Sequence, residues 1–293
     1  MDVGRGITLC YEEFGDPSDP PVLLIMGLAT QMIAWHEDFC EELVERGFHL
    51  VRFDNRDIGR STHVDNRPPT TKELLLRRTP PGQYSLSDMA EDSAALMREL
   101  DIAPAHVVGV SMGGMIAQSL AINHPGRVLS LASMLSTTGN RRVGLPRMRA
   151  LAVILRGAPS DRDAFVNFSV RVQKVIGSRQ WLDEARTRRQ AGEAYDRCHY
   201  PIGVMRQLVA IQTSGDRTEQ LRRLDLPTVV LHGTKDPLVP PRAGRATAAA
   251  IPGAHLVELE GMAHDVPRQM WRQVIDAIVE NTSRAARPQA SVG

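Results

Sequence analysis

Apolar residues along the chain fall into two recurring patterns. Short runs such as PVLLIMG (21–27), HVVGV (106–110) and TVVLHG (228–233) are apolar at consecutive positions, as strands covered on both faces should be. Longer stretches between them carry apolar residues every three or four positions, which is helical spacing. Strands are expected over 7–14, 21–27, 49–54, 106–110, 128–135, 228–233 and 255–261. Helices are expected over 31–46, 86–100, 112–124, 242–250 and 267–282. This alternation predicts βαβ units, and so an α/β fold with a mostly parallel, doubly wound sheet.

Between about 138 and 225 the rhythm changes. Strand-like runs vanish, and arginine-rich amphipathic segments such as RMRALAVILRG and AFVNFSVRVQKVIG take over until LRRLDLP leads back to the sheet. The expected organisation is a core built from 1–137 and 226–293, interrupted by a helical cap over 138–225. The C-terminal SRAARPQASVG has no periodic pattern and is expected to fray.

Composition narrows the function classes. A chain of 293 residues with 42% hydrophobic and 24% charged residues can bury a substantial core. A formal net charge of +1 leaves no global field to hold a polyanion, so nucleic acid is not expected as a partner. No apolar run approaches the roughly 18 to 20 residues that cross a bilayer, and the N-terminus lacks the charged and apolar regions of a secretory signal. A cytoplasmic location is the expectation. Cys10, Cys40 and Cys198 are scattered without CxxC spacing and are read as reduced packing residues. The Asp and His positions show no ligand spacing such as HxxxH or HExxH, so no metal is expected, and the serine chemistry considered below needs no cofactor. Oligomeric state is left open.

Against this background one stretch stands out. HVVGVSMGGMIAQSL runs from an expected strand through Gly109-Val110-Ser111-Met112-Gly113 into an expected helix. A bare GxSxG match is weak, but strand before and helix after are the setting of a nucleophile elbow, a strained turn that lifts a hydroxyl clear of the sheet. The simpler alternative is a serine that only caps the helix. As a nucleophile Ser111 needs a base, and the base an orienting acid, in the chain order serine, acid, histidine. VVLHGTKDPLVP puts Asp236 just beyond one strand, and ELEGMAHDVP puts His264 just beyond the next. Both sit at carboxyl ends of strands, where open α/β sheets build their sites.

The remaining histidines are less well placed. His49, His106 and His255 begin strands at the opposite edge, and His124 ends its helix. His36 on an early helix and His232 within a strand read as packing residues that could also line the site. Asp265, beside His264, reads as a loop or capping residue, and no acid follows the strand at 128–135. For the oxyanion, the backbone amide of Met112 is one expected donor, and that of Leu28 in IMGLATQ the other, with Gly27 allowing the turn. The cluster DNRDIGRST is read as a loop that Asp54, Arg56, Asp57 and Arg60 fix through mutual ion pairs. In the cap, Trp181, Tyr195, His199 and Tyr200 either touch a substrate or pack as the cap's own small core. Tyr195, His199 and Tyr200, with Gly27, are the substrate-contact candidates.

With these residues in view, the chain resembles the α/β-hydrolase fold from residue 7 to about 282, through MGLATQMIAWHEDF, FDNRDIGRST, GVSMGG, LHGTKDPLVPP and EGMAHDVP. In detail it is most similar to bacterial serine hydrolases of the aclacinomycin methylesterase type. That resemblance implies Ser111, Asp236 and His264 as the triad, Leu28 and Met112 as oxyanion donors, and 138–225 as a cap over the pocket. It departs at Leu28, where that type carries a second glycine, which implies a tighter mouth. The expected activity is hydrolysis of a small-molecule carboxylic ester through an acyl-enzyme. A lactonase, a C–C bond hydrolase or a perhydrolase would use the same machinery, and a non-catalytic receptor would keep the fold alone.

Overall fold

The computed structural model describes residues 1–285, apart from the side chains of Thr71 and Leu75. Its centre is one seven-stranded sheet in the order β1-β3-β2-β4-β5-β6-β7. The strands are β1 (Tyr11–Phe14), β2 (Pro21–Ile25), β3 (His49–Phe53), β4 (Ala105–Val110), β5 (Val128–Met134), β6 (Thr228–Gly233) and β7 (His255–Leu259). Only the edge strand β1 runs antiparallel to its neighbour; the other pairings are parallel. β1 is shorter than the expected 7–14, because Thr8 makes only an isolated bridge to Asp2.

The consecutive apolar positions are explained by burial on both faces. Leu23, Ile25, Val51 and Val107 face one cluster, formed with α3 (Leu86–Glu99) and α4 (Met112–Asn123). Val22, Leu24, Leu50 and Val108 face another, formed with α1 (Glu37–Val44) and α11 (Trp271–Ala285). Alternate residues of one strand thus serve opposite layers, so both faces are mostly apolar, and the buried polar residues on them, such as His106 and Ser130, pair with one another.

Some expectations are corrected. The helix expected over 31–46 is a 3-10 turn, Met32–Ala34, followed by the shorter α1. Trp35 and His36 between them are extended, and the Met32 amide donates to Asp54 Oδ1 at 2.8 Å. A tertiary hydrogen bond outweighs the local periodicity there. A short helix, α2 (Thr71–Leu76), was not expected; its capping box between Thr70 and Glu73 was readable as TTKE before an apolar run. The last helix begins at Trp271 after a 3-10 turn at Arg268–Met270. Ser283–Ala285 of the segment expected to fray belong to that helix, and 286–293 lie outside the described residues.

Between β5 and β6 the described residues form helices and turns only: α5 (Met148–Leu155), α6 (Arg162–Ile176), α7 (Glu184–Arg197), α8 (Pro201–Thr213) and α9 (Thr218–Leu221). α10 (Pro241–Ala250) lies between β6 and β7.

Candidate active site

Strand order positions the site. β2 is flanked by β3 on one side and β4 on the other, so the chain leaves β2 and β4 in opposite directions, the topology at which open α/β sheets build their sites at the carboxyl ends. In-register pairing of Ile25 with Gly109 brings the loop after β2 beside the turn after β4. Ser111 occupies that turn at φ 55° and ψ −117°, a conformation a non-glycine residue adopts only under constraint. The constraint is visible: the Ser111 amide donates to Met134 O at 2.8 Å, and Ser136 Oγ donates to Ser111 O at 2.8 Å.

The flanking glycines answer to contact. A Cβ on Gly109 would lie 2.2 Å from the Gly113 carbonyl oxygen, and one on Gly113 would lie 2.1 Å from that of Ile25. Strand, elbow and helix could not pack this closely with any larger residue. Gly27 sits just across, where an added Cβ would be 3.2 Å from Ser111 Cβ. Leu28 follows Gly27 in the chain, and Met112 follows Ser111 as the first residue of α4.

His264 links the remaining parts. Its Nε2 lies 3.0 Å from Ser111 Oγ, and its Nδ1 lies 2.7 Å from Asp236 Oδ2. Asp236 is 1% exposed, and its other oxygen accepts the Leu238 and Val239 amides at 2.8 Å each. The carboxylate is thus fixed in one rotamer. Facing it, Nδ1 of His264 must carry the proton, which leaves Nε2 as the acceptor turned toward the serine hydroxyl. The loop bearing His264 is tied to the end of α6. Its amide donates to Ile176 O at 2.9 Å, the Ala263 amide donates to Ser178 Oγ at 2.8 Å, and Asp265 accepts from Ser178 and Gln173. Burial raises the Asp265 pKa above the usual carboxylate value.

The other histidines are occupied elsewhere. His232 donates from Nε2 to Val239 O at 2.8 Å, and burial lowers its pKa, so it is a neutral brace beneath the Asp236 turn. His36 caps α1, stacks on Trp271 and meets Gln190; burial lowers its pKa to about 4. His49, His106 and His124 pair with Glu13, Ser130 and Glu91, and His255 starts β7.

Among the substrate-contact candidates, Tyr195 and His199 stack at 4.5 Å with Phe165 against both, and Tyr200 stacks on His63 at 3.9 Å. Trp181 packs partly buried near Gly261. The DNRDIGRST cluster departs from expectation. Among the described residues its charged side chains form no ion pairs with one another: Asp54 meets Arg197 at 2.6 Å, Arg56 meets Asp92 at 2.5 Å and Asp57 meets Arg206 at 3.4 Å, while Arg60 offers its backbone amide to Asp54. These partners lie on α7, α3 and α8, because side chains this long reach better across elements than around a tight loop.

Two buried glutamines escaped the sequence reading. Gln31 donates to the Ala194 and Cys198 carbonyls at the end of α7 and accepts from Arg197. Gln207 joins α8 to the loop after β2. The one signal for Gln207 was a polar pair, Arg206-Gln207, inside the apolar run of α8.

A family model of the alpha/beta hydrolase fold matches residues 20–267. The chain belongs to the alpha/beta hydrolase fold family. Among its relatives is rhodomycin D methylesterase DauP of Streptomyces sp. (strain C5), 29% identical over 306 residues that cover 95% of this chain and 96% of that protein. This agrees with the methylesterase resemblance drawn from the motifs. Solved alpha/beta hydrolase structures superpose over nearly the whole chain. The enol-lactonase from Burkholderia xenovorans LB400 does so at TM-score 0.77 and 22% identity, covering 96% of this chain and 99% of its own. The meta-cleavage product hydrolase from Pseudomonas fluorescens IP01 does so at TM-score 0.78 and 18% identity, covering 97% of each. At such identities they speak for the fold alone, since one fold carries many chemistries. Among the described residues, no helix is long and apolar enough to cross a membrane.

Proposed function

We propose that this alpha/beta hydrolase cleaves carboxylic esters through an acyl-enzyme on Ser111, with His264 as general base and acid and Asp236 as its orienting partner. The observation that carries the reading is the single imidazole bridging Ser111 Oγ at 3.0 Å and Asp236 Oδ2 at 2.7 Å. His264 Nε2 takes the hydroxyl proton as Oγ adds to the ester carbonyl; the amides of Leu28 and Met112 receive the oxyanion. Collapse expels the alcohol, which takes the proton from Nε2. Water then adds to the acyl-enzyme with the same proton relay, releasing the acid and restoring Ser111. Besides the ester and water, this cycle uses side chains and backbone amides of the chain.

The likeness to a methylesterase favours a methyl ester as substrate. In this reading 138–225 caps the core formed by 1–137 and 226–293, and the rings of Tyr195, His199 and Tyr200 belong to the side facing the substrate. A fluorophosphonate probe and a panel of methyl esters, p-nitrophenyl esters of graded acyl length and small lactones test it. The native chain should label and should turn over esters with the highest kcat/KM. Ser111→Ala should lose label and turnover while unfolding cooperatively. Turnover retained by that variant would remove Ser111 from the role, and absence of labelling in the native chain would favour a non-catalytic receptor.

A further inference from the structure

The loop after β2 carries Leu28, and its shape is imposed from outside the core. Ala29 has φ of 60°, a left-handed conformation that an alanine keeps only when its surroundings hold it there. Both polar groups of the Leu28–Ala29 peptide are held. Thr30 Oγ1 donates to Leu28 O at 2.9 Å, and the Ala29 amide donates to Gln207 Oε1 at 3.1 Å. Gln207 stands on α8, 178 residues further along the chain, and is 0% exposed. Its Nε2 donates to Arg56 O at 3.0 Å, so both ends of the side-chain amide are committed and its oxygen must face Ala29.

A peptide plane is rigid. The Leu28 amide belongs to the preceding plane, joined to the clamped one through a single Cα, so a swing of the Leu28–Ala29 plane re-aims the Leu28 N–H through only two rotatable bonds. The geometry points to Gln207 as a positioning residue of the oxyanion hole: a buried side chain of the helical insertion that aims the Leu28 amide through the Ala29 N–H. The inference rests on the ester-hydrolase reading of Ser111. Because the oxyanion exists only in the tetrahedral state, a badly aimed amide lowers kcat and leaves substrate binding in place.

The test uses the full chain with Gln207→Leu and Gln207→Glu, p-nitrophenyl acetate as substrate, phenylboronic acid as a tetrahedral mimic on Ser111, and thermal melting. Leucine removes the acceptor, whereas glutamate keeps a carboxyl oxygen for the Ala29 amide. Removing a donor outright costs about a hundredfold to a thousandfold in kcat, so mis-aiming one should cost about tenfold or more in Gln207→Leu, with KM within about twofold. Inhibition by phenylboronic acid should weaken by the same factor, and Gln207→Glu should recover most of both. Both variants disturb the contact to Arg56 O, so a merely structural role would lower melting temperature and activity together in both. A Gln207→Leu variant with kcat within about twofold of the native chain, or an equal loss in Gln207→Glu, overturns the inference. If leucine is not tolerated, Gln207→Met, unbranched and of the same length, makes the same comparison. Failure of the nucleophile assignment would show separately, as ester turnover by Ser111→Ala.

Discussion

Asp236→Asn isolates the role of the buried acid. The asparagine amide has two ways to sit. If its oxygen takes the place of Oδ1, it keeps the Leu238 and Val239 amides, each at 2.8 Å, and turns its NH2 toward His264. If it flips, its NH2 faces two backbone donors and both of those bonds are lost. Leaving a buried donor unpaired costs about 1–3 kcal/mol, so the two bonds lost on flipping favour the first arrangement by at least that amount. In it, His264 Nδ1 must accept, Nε2 carries the proton, and no lone pair faces Ser111 Oγ 3.0 Å away. The wrong tautomer should lower kcat by about 10³–10⁴, or roughly 4–5.5 kcal/mol of transition-state stabilisation. The backbone bonds that hold the turn survive, so urea unfolding should stay close to that of the native chain. Steady-state kinetics on p-nitrophenyl acetate, with urea titration of the same preparations, read both quantities. A variant with kcat within about tenfold of the native value would refute the assignment of Asp236 as the orienting acid.

Other expectations can be checked on stability. Gly113→Ala forces a Cβ to within 2.1 Å of Ile25 O, against backbone that cannot yield cheaply; it should cost about 1–3 kcal/mol or more in urea titration and slow fluorophosphonate labelling, and native values for both would refute the packing argument. His106 is 6% exposed, and burial lowers its pKa to about 4 from 6.5. Between those values the unfolded chain binds more protons than the folded one, so stability falls as pH drops from about 6.5 toward about 4, by up to about 1.4 kcal/mol per pH unit from this group. His36 is lowered to about 4 in the same way and adds to the loss. His106→Gln should therefore show a smaller drop in stability between pH 6.5 and pH 5 than the native chain, with kcat unaffected; an unchanged drop would mean that His106 is protonated in the fold.

Much of the architecture was legible along the chain because burial leaves a local record. Strands covered on both faces, such as VLLI in β2, are apolar at consecutive positions, so the sheet could be read one segment at a time. The elbow was legible for the same kind of reason: Gly109 and Gly113 answer to sterics within one strand-turn-helix unit. Ser111, Asp236 and His264 could be singled out by residue type and by position at strand ends, since the sheet determines where strand ends meet.

What the sequence could not disclose is pairing between distant side chains. The charges of DNRDIGRST were visible, but their partners Asp92, Arg197 and Arg206 lie on helices whose docking no local pattern encodes. The break at Trp35 and His36 in an otherwise helical stretch follows from Asp54 claiming the Met32 amide. Gln207 looked like an ordinary polar residue on an amphipathic helix until α8 came to rest on the loop after β2. The sequence by itself thus determined the layers, the strand tips and the residue types gathered there, because periodicity and sterics act over a few residues. Only the tertiary structure decided which buried polar groups satisfy one another, because that depends on distances between segments far apart in the chain.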